Sequence, residues 1–212
     1  MYRSTSANAE GVSITDFYIT SHEFVDVNVK AKTTYYYSVR QVISEANPLA
    51  GQREVLGPES NKVAVTTLDK ILGSDDDSND PDKEKFFILM TIDDPYMNIN
   101  GFDQEIDPGR GTVPLLLNNR TMVPIRAIVE GMGGDVGWDD ATRKITLSYL
   151  DSIVTMWLDS DEIVANGDSK TIDVAPRSIN ERTMVPIRFV VENLGCEIDW
   201  LNSTRQIVIV YF

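Results

Sequence analysis

Arg120-Thr121-Met122-Val123-Pro124-Ile125-Arg126 recurs 62 residues later as Arg182-Thr183-Met184-Val185-Pro186-Ile187-Arg188. The same displacement, without a gap, pairs Glu130 with Glu192, Gly133 with Gly195, Trp138 with Trp200 and Arg143 with Arg205. Half of the 28 aligned positions from Arg120 to Leu147 are identical. Upstream, Asn100-Gly101 answers Asn166-Gly167, with four extra residues in the first copy. A repeat on this scale marks a duplicated structural unit.

Within each copy the pattern predicts local structure. Apolar residues at Ile125, Ile128, Val129 and Met132, and at Ile187, Val190, Val191 and Leu194, form one face of a helix. Pro124 and Pro186 suit the first helical position, and Gly133 and Gly195 suit a left-handed stop. A helix of about nine residues does not persist alone in water, so it must pack against something. β structure supplies the partner. Tyr96–Ile99 and Glu162–Ala165 run as strands into Asn-Gly pairs, which favour tight hairpins because both turn residues need positive φ. Asp135–Trp138 with Lys144–Tyr149 forms a second hairpin, copied by Glu197–Trp200 with Gln206–Tyr211, and 152–158 adds a strand between the copies. The expected class is α+β: short helices on antiparallel sheet, in repeats 86–149 and 150–212. The short connection at 150–161 favours one continuous unit.

The 212 residues allow one or two domains, and 42% apolar with 25% charged residues is globular composition. A net charge of −14 argues against nucleic-acid partners. No apolar run approaches a membrane span. One cysteine, Cys196, excludes an internal disulfide or a cysteine-built zinc site, and one histidine, His22, removes most hydrolase triads and multi-histidine metal centres. Composition argues against an enzyme, and no catalytic, cofactor or metal residue is assigned. Charge divides the chain into 1–68, an acidic linker at 69–85, and 86–212. Asp75, Asp77 and Asn79 match the first positions of a calcium loop. Asp80 replaces its turn glycine, however, and Phe86 its bidentate glutamate, so the linker reading prevails.

Some side chains look chemical. Trp138 and Trp200 are either ligand platforms or core. Their alternation with polar neighbours turns them toward the helix, and burying each ring would contribute several kcal/mol, at about 25 cal/mol per Å². Arg126 with Glu130, and Arg188 with Glu192, read as intrahelical pairs worth about 0.2–0.5 kcal/mol. The alternative is a carboxylate- or sugar-binding arginine, which Arg120 and Arg182 keep open. Cys196, replacing Gly134, reads as an inert thiol. The expectation is that these signature side chains hold the scaffold together rather than meet in an open hollow. The ligand site is unassigned.

The Asn-Gly hairpins, the Arg-Thr-Met-Val-Pro-Ile-Arg strings, the Gly133/Gly195 stops and the Trp138/Trp200 strands resemble the copper amine oxidase N-terminal-like, or stalk, domain family of surface and secreted proteins of Gram-positive bacteria. The resemblance covers 86–212. It implies a non-catalytic spacer or attachment module outside the membrane. Copper, though present in the family name, is not supported, since amine oxidase chemistry needs several histidines. One departure is Trp200-Leu201-Asn202, against Trp138-Asp139-Asp140 in the first copy.

In 1–68, Thr33–Val42 alternates as a half-buried strand does, and Asn61–Thr67 makes a second strand after a Gly/Pro/Ser loop. They resemble the last two strands of a fibronectin type III sandwich, with Tyr35 at the tyrosine corner and Gly57-Pro58-Glu59-Ser60 entering the final strand. Tyr2-Arg3-Ser4 resembles the end of that family's third strand, and Phe24-Val25-Asp26 the approach to its fifth. The expectation is an incomplete all-β sandwich with unpaired edges, in a chain that is the C-terminal piece of a larger modular protein whose signal peptide lies elsewhere. Together the segments point to an extracellular, non-catalytic module on a cell surface or in a secreted protein. Its expected partners are cell-wall polymer, polysaccharide or surface protein, alongside upstream domains of the parent. The alternative is the accessory tail of a secreted glycosidase or peptidase.

Overall fold

The computed structural model describes residues 1–15, 19–47, 51–68 and 84–212. Most of the acidic stretch, and the calcium-loop pattern within it, lie outside the described residues. The first segment contains β1 (Tyr2–Ser4), β2 (Val12–Ser13), β3 (Thr34–Ser38), β4 (Arg40–Asn47), β5 (Gly51–Glu59) and β6 (Val63–Thr66). The run read as one strand from Thr33 to Val42 breaks at Val39. Its first part joins a sheet of order β2-β1-β3-β6, and its second forms a separate hairpin with β5. Among the described residues neither β2 nor β6 has an outer partner strand, and Val12, Val63 and Val65 are exposed.

The rest begins with β7 (Phe86–Thr91), β8 (Tyr96–Ile99), β9 (Phe102–Glu105), β10 (Leu115–Leu117), β11 (Arg120–Pro124), α1 (Ile125–Gly131), β12 (Asp135–Asp139) and β13 (Lys144–Tyr149). The same eight elements then repeat in order: β14 (Ser152–Trp157), β15 (Glu162–Ala165), β16 (Asp168–Thr171), β17 (Arg177–Ile179), β18 (Arg182–Pro186), α2 (Ile187–Asn193), β19 (Glu197–Leu201) and β20 (Gln206–Tyr211). The α+β expectation is overturned. With twenty strands and two helices of seven residues among the described residues, the protein is mostly β. Two causes are local. Arg120–Pro124 and Arg182–Pro186 are strands, so Pro124 (φ −73°, ψ 95°) and Pro186 (φ −69°, ψ 106°) are extended caps rather than first helical residues. Gly133 and Gly195 then stop each helix at φ +86° and +79°.

The two halves interlock. β11 pairs antiparallel with β18, with Val123 opposite Val185, its own counterpart; Met122 faces Pro186 and Pro124 faces Met184. That register is a local two-fold axis between the valines, and it organises the central sheet β10-β11-β18-β17. The other two sheets are exchanged across it. One has order β12-β13-β14-β15-β16 and the other β19-β20-β7-β8-β9, so each joins the C-terminal hairpin of one half to the opening meander of the other. Tyr149 pairs with Ser152, and Tyr211 with Phe86, at equivalent places. Both Asn-Gly turns have positive φ, 53° and 94° at Asn100-Gly101, 53° and 90° at Asn166-Gly167. Each asparagine also accepts from the neighbouring strand: Phe87 N–H donates to Asn100 Oδ1 at 2.7 Å, and Ile153 N–H to Asn166 Oδ1 at 2.8 Å.

A single core fills the space between the helices and the sheets, including Ile88, Met90, Ile128, Val129, Leu147, Met156, Val190, Val191 and Ile209. The outer faces of the two exchanged sheets differ. On β13 and β14 the outward residues Thr146, Ser148 and Thr155 are half-buried and Ile153 is exposed. At the matching places on β20 and β7 stand Val208, Val210, Phe87 and Leu89, all buried beneath Phe24, Val25 and Val27. The Phe24 ring meets Phe87 edge-on, with centroids 5.3 Å apart. Ser21 N–H donates to Gly101 O at 3.3 Å, and Gln206 Nε2 donates to Glu23 Oε1 at 2.8 Å. The unbroken apolar run Ile207–Tyr211 is thus a strand covered on both faces. Phe24-Val25-Asp26, compared above with the approach to a strand, is irregular backbone laid on that sheet.

Candidate functional site: two clefts related by the internal two-fold

Antiparallel pairing of β11 with β18 sets the start of each strand beside the helix that follows the other. Each meeting point is a cleft. The α2 cleft, about 920 Å³, is lined by Arg120 and Thr121 of β11, Asp173 beyond β16, Arg188 and Glu192 of α2, and Trp200 of β19. The α1 cleft, about 450 Å³, is lined by Arg182 and Thr183 of β18, Asp107 beyond β9, Arg126 and Glu130 of α1, and Trp138 of β12. Every residue in one set has its counterpart in the other.

Trp138 departs from the expectation of burial, and Trp200 meets it in part. The register sets Trp138 opposite Ile145 and Trp200 opposite Ile207, both buried, so each ring does lie on the inner face. β12 and β19 are edge strands, however, and a seven-residue helix is too short to roof the rings. Trp138 remains 43% exposed, and Trp200 is half-buried against the core. Trp200 Nε1 donates to Asn202 Oδ1 at 2.6 Å; Trp138 Nε1 reaches Asp140 Oδ1 only at 3.4 Å. The tryptophans and arginines do not gather in one common hollow; each tryptophan lines a separate cleft with two of the four arginines.

The helix pairs form, Arg126 Nη1 to Glu130 Oε1 at 3.1 Å and Arg188 Nη1 to Glu192 Oε1 at 3.5 Å, and all four side chains are exposed at cleft walls. The other two arginines cross between halves. Arg182 grips Asp107 with two donors, Nε to Oδ2 at 2.5 Å and Nη2 to Oδ1 at 3.2 Å, and Thr112 donates its hydroxyl to Oδ2 at 2.6 Å. Hydrogen bonds from Arg182, then Thr112, hold the Asp107 carboxyl below its ordinary pKa, and the same pair raises that of Arg182. In the α2 cleft Arg120 meets Asp173 through one nitrogen, with side chains 49% and 57% exposed, against 28% and 16% for Arg182 and Asp107. Asp107 and Asp173 were not singled out from sequence. The available signal was the repetition of Ile106-Asp107 as Ile172-Asp173 at the Asn-Gly offset.

Cys196 is buried, its thiol directed to Leu194 O at 3.9 Å. Gly134 has no such room, since a Cβ there would lie 2.3 Å from Ser148 O. Among the described residues, no three His, Cys, Asp or Glu side chains are grouped to hold a metal. Copper prefers imidazole and sulfur ligands, and here the one histidine and the buried Cys196 stand apart from both clefts, so the residues do not fit that ion. Among the described residues no helix is long and apolar enough to cross a membrane.

No curated protein and no solved structure matches the chain. The family model of the copper amine oxidase N-terminal domain matches residues 99–209, running through both copies of the repeated string. In copper amine oxidases that domain is non-catalytic. The interlocked halves of 86–212 thus carry the match through more than half of the sequence, and the chain belongs to the copper amine oxidase N-terminal domain family.

Proposed function

We propose that this chain is an extracellular, non-catalytic spacer and attachment module of a larger modular bacterial surface or secreted protein, holding envelope polymer, polysaccharide or a surface protein. The observation that carries the reading is the pair of clefts, each with an aromatic ring beside exposed charged side chains, in a domain of a non-catalytic family. The single core running through both halves suits a stiff spacer. We further read 86–149 and 150–212 as two repeats, supported by their element-for-element equivalence. We read 1–68 as part of a fibronectin type III domain. Support comes from the sheet order β2-β1-β3-β6 and from Lys30 N–H, which donates to the Tyr35 hydroxyl at 2.9 Å in the manner of a tyrosine corner.

The test is co-sedimentation of the purified chain with isolated Gram-positive cell walls and with insoluble polysaccharides. The reading predicts saturable recovery in the pellet from at least one of them. A chain that stays in the supernatant throughout loses the attachment role. Fractionation of producing cells should find the parent protein outside the membrane, and a cytoplasmic pool alone would contradict the extracellular reading.

A further inference from the structure

We infer that the α2 cleft is the binding site for a neutral, hydroxyl-rich glycan, and that the α1 cleft is the same site narrowed by its own ion pair. The inference deepens the attachment reading and rests on it. Trp200 offers an apolar ring face only partly sunk in the core, a platform for the C–H face of a sugar ring. Around it stand donors, Arg120 and Arg188, and acceptors, Asp173 and Glu192. Sugar hydroxyls donate and accept, so they suit walls that carry both. Both arginines already face carboxylates on a chain of net charge −14, which disfavours a polyanion. The volume, about 920 Å³, lies in the range of ligand sites rather than surface dimples.

The two clefts differ in what a ligand must displace. Arg120 and Asp173 are two exposed side chains joined at one point, a contact of small worth that hydroxyls can replace. Arg182 and Asp107 are joined twice, are largely shielded and are braced by Thr112, and the cleft they border has half the volume. Both clefts descend from one pattern, and this clamp separates them.

The experiment is calorimetric titration of the full chain with neutral hexasaccharides (β-glucan and chitin-derived), with an oligogalacturonate as the anionic comparator and an unstructured peptide as the protein comparator. A neutral glycan should bind saturably. Trp200→Ala should weaken it about thirtyfold or more, the range of an aromatic anchor, and Trp138→Ala by less than about twofold. Arg120→Ala should weaken it about tenfold with the melting temperature unchanged, which separates loss of site from loss of fold. Asp107→Ala should add a second binding event. Failure of every neutral glycan to bind, preference for the anion or the peptide, or equal losses in both tryptophan variants would overturn the inference. Cell-wall sedimentation of Trp200→Ala at the parent level would do so too, while leaving the attachment reading intact. Loss of sedimentation alone, with soluble glycan binding retained, would instead sink the attachment reading.

Discussion

Replacing Phe87 by Ile, Leu89 by Thr, Val208 by Thr and Val210 by Ser would give the covered sheet the outward residues of its twin. The inner face would not change, because Ile88, Met90, Ile207 and Ile209 stay in place. What would be lost is the apolar seat of Phe24, Val25 and Val27. At about 1–2 kcal/mol for each of the three side chains, near the lower end of values for full burial, the contact is worth about 3–6 kcal/mol. Loss of that amount shifts docking by about two to four powers of ten, and leaves the segment held by three hydrogen bonds at Ser21 and Glu23, each worth about 0.5–1.5 kcal/mol. Hydrogen exchange read by mass spectrometry should show protection of 21–27 falling to the level of an open loop, with 86–212 protected as before. Small-angle scattering should show a larger radius of gyration. Unchanged protection at 21–27 would refute the claim that those four residues differ from their counterparts because a segment covers them.

Three further outcomes follow from asymmetries between equivalent positions. Gly134→Ala should cost about 1–3 kcal/mol in urea unfolding, because its Cβ would meet Ser148 O and Val129, whereas Cys196→Ala at the matching site should cost about 1 kcal/mol or less. Asn100→Ala should cost about 1–3 kcal/mol, since it strands Phe87 N–H and removes a 3.0 Å bond to the Tyr211 hydroxyl. Asn166→Ala, whose bonds are more exposed, should cost less in the same assay. The Asp107 pKa is depressed by folding, so its stabilising contribution is complete above about pH 5 and is lost as the pH falls from about 4 through the folded value. The stability gap between the parent and Asp107→Asn should therefore narrow on acidification, and a gap constant from neutral to acid pH would contradict the ion-pair role.

Short-range physics was legible in the sequence and long-range closure was not. Asn100-Gly101 and Asn166-Gly167 announced their turns because two successive positive φ angles demand such residues. Gly133 and Gly195 marked the helix ends for the same reason. The pairing of Val123 with Val185 left no local trace, since nothing in Arg-Thr-Met-Val-Pro says that its partner is its own copy. β9 and β16 escaped notice because Phe102–Glu105 and Asp168–Thr171 are exposed edge strands without alternation. The tryptophans were set on the correct face by alternation. Their exposure depends on how far a helix reaches over an edge, which alternation does not encode. Arg120 with Asp173 and Arg182 with Asp107 are contacts between halves, so each half read alone showed arginines without these carboxylates.

The central claim is that the halves exchange their C-terminal hairpins about the Val123–Val185 axis, which is what creates the clefts. Cross-strand nuclear Overhauser effects in an isotope-labelled sample test it most directly. The account predicts contacts between Val123 and Val185, between Ile88 and Ile209, and between Leu147 and Val154. Contacts joining β7 to β13, and β14 to β20, would mean that each half closes on itself, and would contradict it.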